Sequence, residues 1–317
     1  MTNMKRVSII VLCLGLLAAA CSSQQATGPS TTASAASSEV TSSRSPNSAL
    51  TSFGATPSGE APSEETPAPG GTTLEVWFSS MVADPAGGSG GPFVFVAHRS
   101  APETATPGRA AMEALLQGPT TKEKKSGLTT AIPAGTRLLG LSIKGGTATV
   151  DLTGQFESGG GSTSVFMRLA QVVYTLTQFP TVARVEFMLD GKSVRVFSGE
   201  GLILNHPSTR KNFLDQLPPI LVESPGVAER ISSPVTVSGT ANAFEGTVSI
   251  RVLDENGHVV ASTFTTATCG SGCRGSYEKQ VRFDTNLVQE GAVEVFEASA
   301  KNGDPTNVVT IPVTLVP

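Results

Sequence analysis

Aromatic rings and charge are both scarce in this 317-residue sequence, at 5% and 15% of residues, with one Trp and two Tyr. A sugar-binding cleft walled by stacked rings has little to be built from. Basic residues show no excess either, since the formal net charge is -4, and a nucleic-acid partner is disfavoured because nothing collects phosphates. Catalytic signatures are missing as well. His98, His206 and His258 stand apart, and there is no H-E-x-x-H, Walker loop or dinucleotide fingerprint. Gly87-Gly88-Ser89-Gly90-Gly91 formally fits G-x-S-x-G, but a nucleophile elbow needs a strand-to-helix turn and both flanks here read as strands. The stretch reads as a loop. Asp84, Asp151, Asp190 and Asp254 sit beside turn residues, where carboxylates cap backbone N–H groups. The expectation is a chain without catalysis, cofactor or metal. Gly and Pro, by contrast, are plentiful at 33 and 21, which points to turns, strands and linker. The length suits about two domains of roughly 100–200 residues each.

The N-terminus has the composition of an export signal. Lys5 and Arg6 precede an apolar run from Val7 to Ala20, which fits a signal-peptide h-region and is short of the ~20 residues that cross a bilayer. The run closes on Leu16-Leu17-Ala18-Ala19-Ala20-Cys21. This resembles the lipobox of bacterial lipoproteins, although Ala18 stands third before Cys21 and the favoured Leu one place earlier. The resemblance implies that residues 1–21 direct export, that Cys21 becomes the first residue and that its thiol carries lipid. Ordinary secretion after an A-x-A site is the other reading. Acyl chains contribute about 0.8 kcal/mol per buried CH₂, enough for several on one Cys to hold a protein on the extracytoplasmic face of the cell membrane. Loss of Lys5 and Arg6 leaves 20 basic against 26 acidic side chains, a formal -6, which argues against electrostatic adhesion to anionic lipid.

Residues 22–73 are mostly Ser, Thr, Ala, Pro and Gly, with Arg44 and four Glu among them and only Val40, Leu50 and Phe53 as isolated large apolar side chains. Such a stretch cannot bury enough surface to offset its ordering entropy, and it reads as a disordered tether or a tail without purpose. About 50 flexible residues place their ends about 35–45 Å apart on average.

Alternation of apolar and polar residues begins at Leu74, and residues 74–215 read as an α+β module. Leu74 to Phe78 and Pro92 to His98 are strands; Pro107-Gly108-Arg109 opens a short helix that Gly118-Pro119 stops. Leu139, Leu141, Ile143 and then Ala148, Val150, Leu152 alternate around the hairpin signal Gly145-Gly146. Val165, Leu169, Val172, Leu176 and Phe179 mark one face of a helix from Ser162 to about Gln178, ended by Pro180. Val185, Phe187 and Leu189 form a further strand, with Asp190-Gly191 as its turn. Two helices on one face of a mixed sheet result.

Three runs, Ala114-Leu115-Leu116-Gln117-Gly118-Pro119-Thr120, Thr130-Ala131-Ile132-Pro133-Ala134-Gly135-Thr136 and Ala148-Thr149-Val150-Asp151-Leu152, precede the helix Ala170 to Pro180. In this order they resemble the GerMN domain of sporulation and spore-germination proteins. The resemblance implies an αβ module related to ring-building folds, without catalysis, in which self-assembly runs through this domain. It does not imply that the organism sporulates. Within the helix, Gln171, Tyr174 and Gln178 repeat at i, i+3 and i+7 as a second face. They are the candidate partner-binding residues, or a half-buried stripe that caps loops of the same domain. Lys122, Lys124 and Lys125, with Glu123 among them, read as a solvated loop rather than a wall-polymer site.

Residues 216–317 show no helical period. Seven short strands with turns every 8 to 12 residues, Asp254-Glu255-Asn256-Gly257 among the turns, give the profile of an all-β immunoglobulin-like sandwich. Ile231 to Ala241, followed by Phe244-Glu245-Gly246, resembles the immunoglobulin-like domain that accompanies spore-germination modules. Domains of that kind bind or space. Cys269-Gly270-Ser271-Gly272-Cys273 is a short loop whose two thiols can close into a disulfide in an oxidising compartment. Zinc is the alternative, but His258 is the sole His of this domain, so a second ligand pair is missing.

Taken together, the sequence reads as an exported lipoprotein, membrane-bound through Cys21, that docks an envelope protein or cell-wall partner. A glycan-binding accessory that trims peptidoglycan is the competing expectation.

Overall fold

The computed structural model describes residues 71–82, 90–104, 106–199 and 201–317. The expected signal peptide, Cys21, nearly all of the expected tether, Asp84 and the Gly87 to Ser89 part of the glycine loop lie outside them. The first module opens with an antiparallel hairpin of β1 (Thr72–Val82) and β2 (Gly91–Ala101). β1 starts two residues before Leu74, so the module boundary moves to Thr72. α1 (Pro107–Gln117) follows, with Pro at its start and Gly118 at its end. A four-stranded sheet in the order β3-β4-β5-β6 comes next, from β3 (Leu138–Lys144), β4 (Thr147–Leu152), β5 (Arg184–Leu189) and β6 (Lys192–Ser193). β4 and β5 are parallel, and α3 (Ser162–Leu176) is their crossover. Gly145 and Gly146 turn the β3–β4 hairpin with φ of 55° and 76°, a conformation other residues reach only at a cost.

The lysine cluster overturns its sequence reading. Lys122 to Lys125 are not a loop but α2 (Thr121–Lys125), closed by a capping box in which Thr120 and Glu123 satisfy each other's backbone N–H. Glu123 is buried because Arg99 on β2 reaches it through Nε at 3.1 Å. The same guanidinium donates to the carbonyls of Ala114 and Gly118 and lies 5.1 Å above the Phe78 ring. One side chain thereby fastens hairpin, α1 and α2.

The apolar stripe of α3 and the inner residues Ala148, Val150, Leu152, Val185, Phe187 and Leu189 of β4 and β5 form the core on one face of the sheet. The hairpin closes over the helices from the other side, which is why residues 165 and 167–176 are all buried. Arg168 is 1% exposed within that helix. Its guanidinium donates to the carbonyls of Phe156, Ser158 and Gly159, and this holds the glycine loop at the start of α3.

Two small strands, β7 (Val196–Phe197) and β8 (Leu202–Ile203), and the turn Arg210–Gln216 lead into the second module. It is a sandwich of two sheets. β9 (Ile220–Ser224), β11 (Val235–Ala241) and β14 (Gly275–Val281) form one, in the order β14-β11-β9. The other has the order β10-β16-β15-β12-β13, from β10 (Arg230–Ile231), β12 (Thr247–Leu253), β13 (Val259–Thr266), β15 (Gln289–Ala298) and β16 (Pro305–Leu315). All seven expected strands are present, and β10 is the addition. Alternation in β11 and β12 sends Val237, Val248, Ile250 and Val252 inward, as period-two patterning requires.

Candidate interaction site at the seam between the modules

A strand that ends a sheet leaves a row of backbone groups unpaired. β1 has this problem, and α3 solves it with side chains. Gln178 accepts from Glu75 N at 2.8 Å and donates to Glu75 O at 2.7 Å. Thr175 Oγ1 accepts from Trp77 N at 3.1 Å, and Gln171 Nε2 donates to Trp77 O at 3.1 Å. Further along, Ser79 exchanges both backbone bonds with Thr129. The helix thus acts as the missing neighbour strand, with residues 171, 175 and 178 as its rungs.

This corrects the partner-binding expectation for Gln171, Tyr174 and Gln178. Gln171 is 0% and Tyr174 1% exposed, so neither faces a partner; Gln171 also accepts from Ala131 N at 2.8 Å. Tyr174 packs against Trp77 with ring centres 4.9 Å apart and planes tilted by 37°, and burial pushes its phenol up to about 12. The stripe caps elements of its own domain, which was the other reading of the same spacing.

Over these rings lies Arg210, 5.5 Å from the centre of Trp77 and 4.9 Å from that of Tyr174. It donates through Nε to Thr177 Oγ1 at 2.9 Å and pairs with Glu223 of β9 at 3.3 Å. Burial pushes the Glu223 carboxyl up, and the Glu75 charge adds to this while Arg210 opposes it. Arg274, next to the cysteine loop, donates to Pro218 O at 2.6 Å and to Thr240. Cys269 and Cys273 are joined as a disulfide, with Cα atoms 5.8 Å apart.

The outer edge of β2 is closed by the second module. Val227 N donates to Val96 O at 2.9 Å, and Ala228 N donates to Pro312 O of β16 at 2.8 Å. Lys122 Nζ reaches Thr314 Oγ1 at 2.8 Å. His98 Nδ1 and Glu229 Oε2 meet at 2.8 Å. A cleft of about 430 Å³ remains beside this contact, lined by Met81, Phe95, Leu128, Val308 and Pro312 among others. The seam is therefore built from backbone bonds, ion pairs and apolar packing together.

His98 and Glu229 make the seam pH-dependent. Burial works to lower the His98 pKa, but its hydrogen bond to Glu229 and the charges of Glu229 and Glu75 outweigh that, so it lies above the ordinary 6.5. Burial works to raise Glu229, and His98 with the Gly226 N–H outweighs it, so it lies below the ordinary 4.5. A raised imidazole stabilises the fold below 6.5 and loses this contribution as pH rises through its folded value. A depressed carboxylate contributes above 4.5 and fails as pH falls through its folded value. The pair thus supports the seam fully between about 4.5 and 6.5 and weakens above that window. Thermal melts at pH 6 and pH 8 should show the wild type losing more stability than His98→Gln; equal losses would remove His98 as the cause.

The remaining candidates are accounted for locally. Asp151 accepts from Gly191 N at 3.1 Å, and Asp254 accepts from Asn256 and His258 N–H groups at 2.9 and 2.8 Å. Backbone bonds from His258 and Asn256 hold the half-buried Asp254 below the usual carboxylate range. Among the described residues no group of three or more His, Cys, Asp or Glu is arranged to hold a metal, and no helix is long and apolar enough to cross a membrane. Arg210, Arg99 and Arg168 escaped the sequence reading. Only Glu123 had a local signal, its place in T-x-x-E after Thr120.

Fold and seam define a two-module protein, an α+β unit locked edge-on to an immunoglobulin-like sandwich. The chain carries a domain of the sporulation and spore germination family, matched over residues 83–195, followed by an immunoglobulin-like domain of bacterial spore germination over residues 219–304. Both matches stop short of the structural modules, since β1 precedes the first and β16 follows the second. No curated protein matches the chain. Among solved structures, a provisionally named lipoprotein from Clostridium perfringens is 20% identical, over 47% of this chain and 95% of that one, with a TM-score of 0.31. The first GerMN domain of the Bacillus subtilis sporulation protein GerM is 23% identical over 43% of this chain and 98% of that one, TM-score 0.34. The tandem GerMN domains of the same protein give 15% identity over 76% and 60%, TM-score 0.35.

Proposed function

We propose that this protein is a lipid-anchored, noncatalytic assembly module of the cell envelope. One observation carries the reading: the polar side chains that could have formed an active site are consumed in bracing the first module and, through Arg210 and Glu223, its contact with the second. Gln171, Tyr174, Gln178, Arg210 and Glu223 all bond within the chain. In this reading the two-module arm presents surface and turns over no substrate. The open face of the first module's sheet offers such a surface, where Lys144, Thr147, Thr149, Arg184 and Glu186 line a shallow groove with His206. An envelope protein, a wall polymer or the same domain of another copy is its partner. Sporulation and germination domains in both modules support an envelope role.

Anchoring rests on Cys21. Cys21→Ala should move the protein from the membrane fraction to the soluble or secreted fraction, with loss of fatty-acid labelling. Unchanged membrane retention would end the anchor reading. For the module itself, cross-linking in intact cells followed by co-purification should return a defined partner, whereas release of muropeptides from purified sacculi would replace this function with the wall-trimming one.

A further inference from the structure

The linker between the modules is gripped from the cysteine loop. Pro218 O accepts from Arg274 Nη2 at 2.6 Å, and Pro219 O accepts from Asn242 N at 2.9 Å. These two carbonyls stand between the turn Arg210–Gln216 and β9, where the chain passes from one module to the other. Both donors are tied to the loop Cys269 to Cys273. Arg274 follows Cys273 directly, and its Nη1 donates to Thr240 O at 3.1 Å. Asn242 holds the loop through its side chain, since its Oδ1 accepts from Gly272 N at 3.0 Å. Ser271 N donates to Ala243 O at 2.9 Å, and Ser271 Oγ accepts from Glu245 N at 3.1 Å. Gly270 lies so close to the same turn that a Cβ there would stand 2.3 Å from Gly246 N. Loop and turn are thus interlocked. Cys269 and Cys273 are half-buried, and Ser271 and Gly272 between them are exposed. Ser271 has φ of 49°, in the left-handed region that a residue with a side chain enters only at a cost.

We propose that the Cys269–Cys273 disulfide is a redox latch on the linker between the modules. Closed, it keeps Ser271 in its bend and holds Arg274 and Asn242 on the linker carbonyls. A dithiol reductant opens it by exchange. One thiolate attacks a sulfur of the bridge, the S–S bond breaks and a mixed disulfide forms; the reductant's second thiol then displaces the remaining cysteine. Two electrons and two protons pass to the chain, which gains two thiols, and the reductant leaves as its own disulfide. Ser271 then relaxes out of the left-handed region, the bonds to Asn242, Ala243 and Glu245 are given up, and the linker is released. The fold outlives this step. A bridge with a sequence separation of 4 restrains the unfolded chain far less than one that closes a long loop, and the sandwich core draws on Val237, Ile250, Val293 and Ile311. Local release without unfolding is what a switch requires, and it holds whatever partner the protein meets.

The test compares the full chain oxidised and after treatment with dithiothreitol. Reduction should speed hydrogen exchange at the Asn242 and Gly272 amides by about tenfold or more, with exchange at Ile250 unchanged. Tryptic cleavage at the exposed Lys211, in the turn before the linker, should rise in parallel. The double variant Cys269→Ser, Cys273→Ser should behave as the reduced chain with or without dithiothreitol. Arg274→Met, its bridge intact, should raise cleavage at Lys211 and leave Gly272 exchange slow. In intact cells, thiol trapping should capture both the dithiol and the disulfide forms. Unchanged exchange on reduction, unfolding of the whole sandwich in place of local release, or a chain that stays oxidised in cells given dithiothreitol would each overturn the proposal.

Discussion

Gln171→Leu is expected to cause the largest loss of stability of any single substitution in the first module. Leucine fills a similar volume, so the loss is chemical rather than steric. Gln171 is fully buried and joins Trp77 O on β1 to Ala131 N in the loop after α2. Leucine strands both backbone groups away from water, at about 1–3 kcal/mol each, or roughly 2–6 kcal/mol in total. For a folded region of this size the melting temperature falls by about 2–4 °C per kcal/mol, so a drop of about 5–20 °C is expected. Gln178→Leu should cost less, because Gln178 is only half-buried and water can replace part of its bonding. Thermal melts followed by fluorescence of Trp77, which lies against Tyr174 and Arg210, check both. Equal effects of the two substitutions would contradict the larger cost that follows from the full burial of Gln171.

Cutting the chain after Gln216 is the second large expectation. The first module would keep its helices and its four-stranded sheet but lose what closes β2. Val96 O would lose Val227 N, His98 would lose Glu229, and Arg210 would lose Glu223. Phe95, which lines the cleft with Val308 and Pro312, would face water. Each Val or Phe returned to solvent forfeits about 1.5–3 kcal/mol, and an uncovered apolar edge invites pairing with another molecule. The fragment is therefore expected to elute as oligomers or aggregate, while the intact two-module chain stays soluble. A monomeric fragment with the stability of the whole would mean that the seam is a resting contact and not part of the fold.

These two expectations locate what the sequence reveals and what it withholds. The 3.6-residue spacing of Val165, Leu169, Val172 and Leu176 suffices to find α3, and Gly145-Gly146 and Asp190-Gly191 suffice to find two turns. Period-two alternation marks seven of the strands of the sandwich. These signals are legible because each is carried by residues close together in the chain. The functions of Gln171 and Gln178 are not, since their partners Trp77 and Glu75 lie 94 and 103 positions away. Arg210 gives no sign that two rings and two carboxylates will converge on it, and Arg168 reads as an interruption of an apolar helix until the carbonyls of the glycine loop surround it. The α2 capping box was within reach, four residues long, yet three lysines masked it as a charged loop. Anchoring at Cys21 remains an inference from the sequence, outside the described residues.

β1 is also where the first module meets the chain that precedes it. Any pull on that chain enters the fold at Thr72 and runs along an 11-residue strand paired throughout with β2. Force along the strand loads its ladder bonds together instead of one after another, and the Gln171, Thr175 and Gln178 clamps share the load on the opposite edge. The hairpin is thus placed to transmit tension, and it does so through a helix that grips a strand with amides.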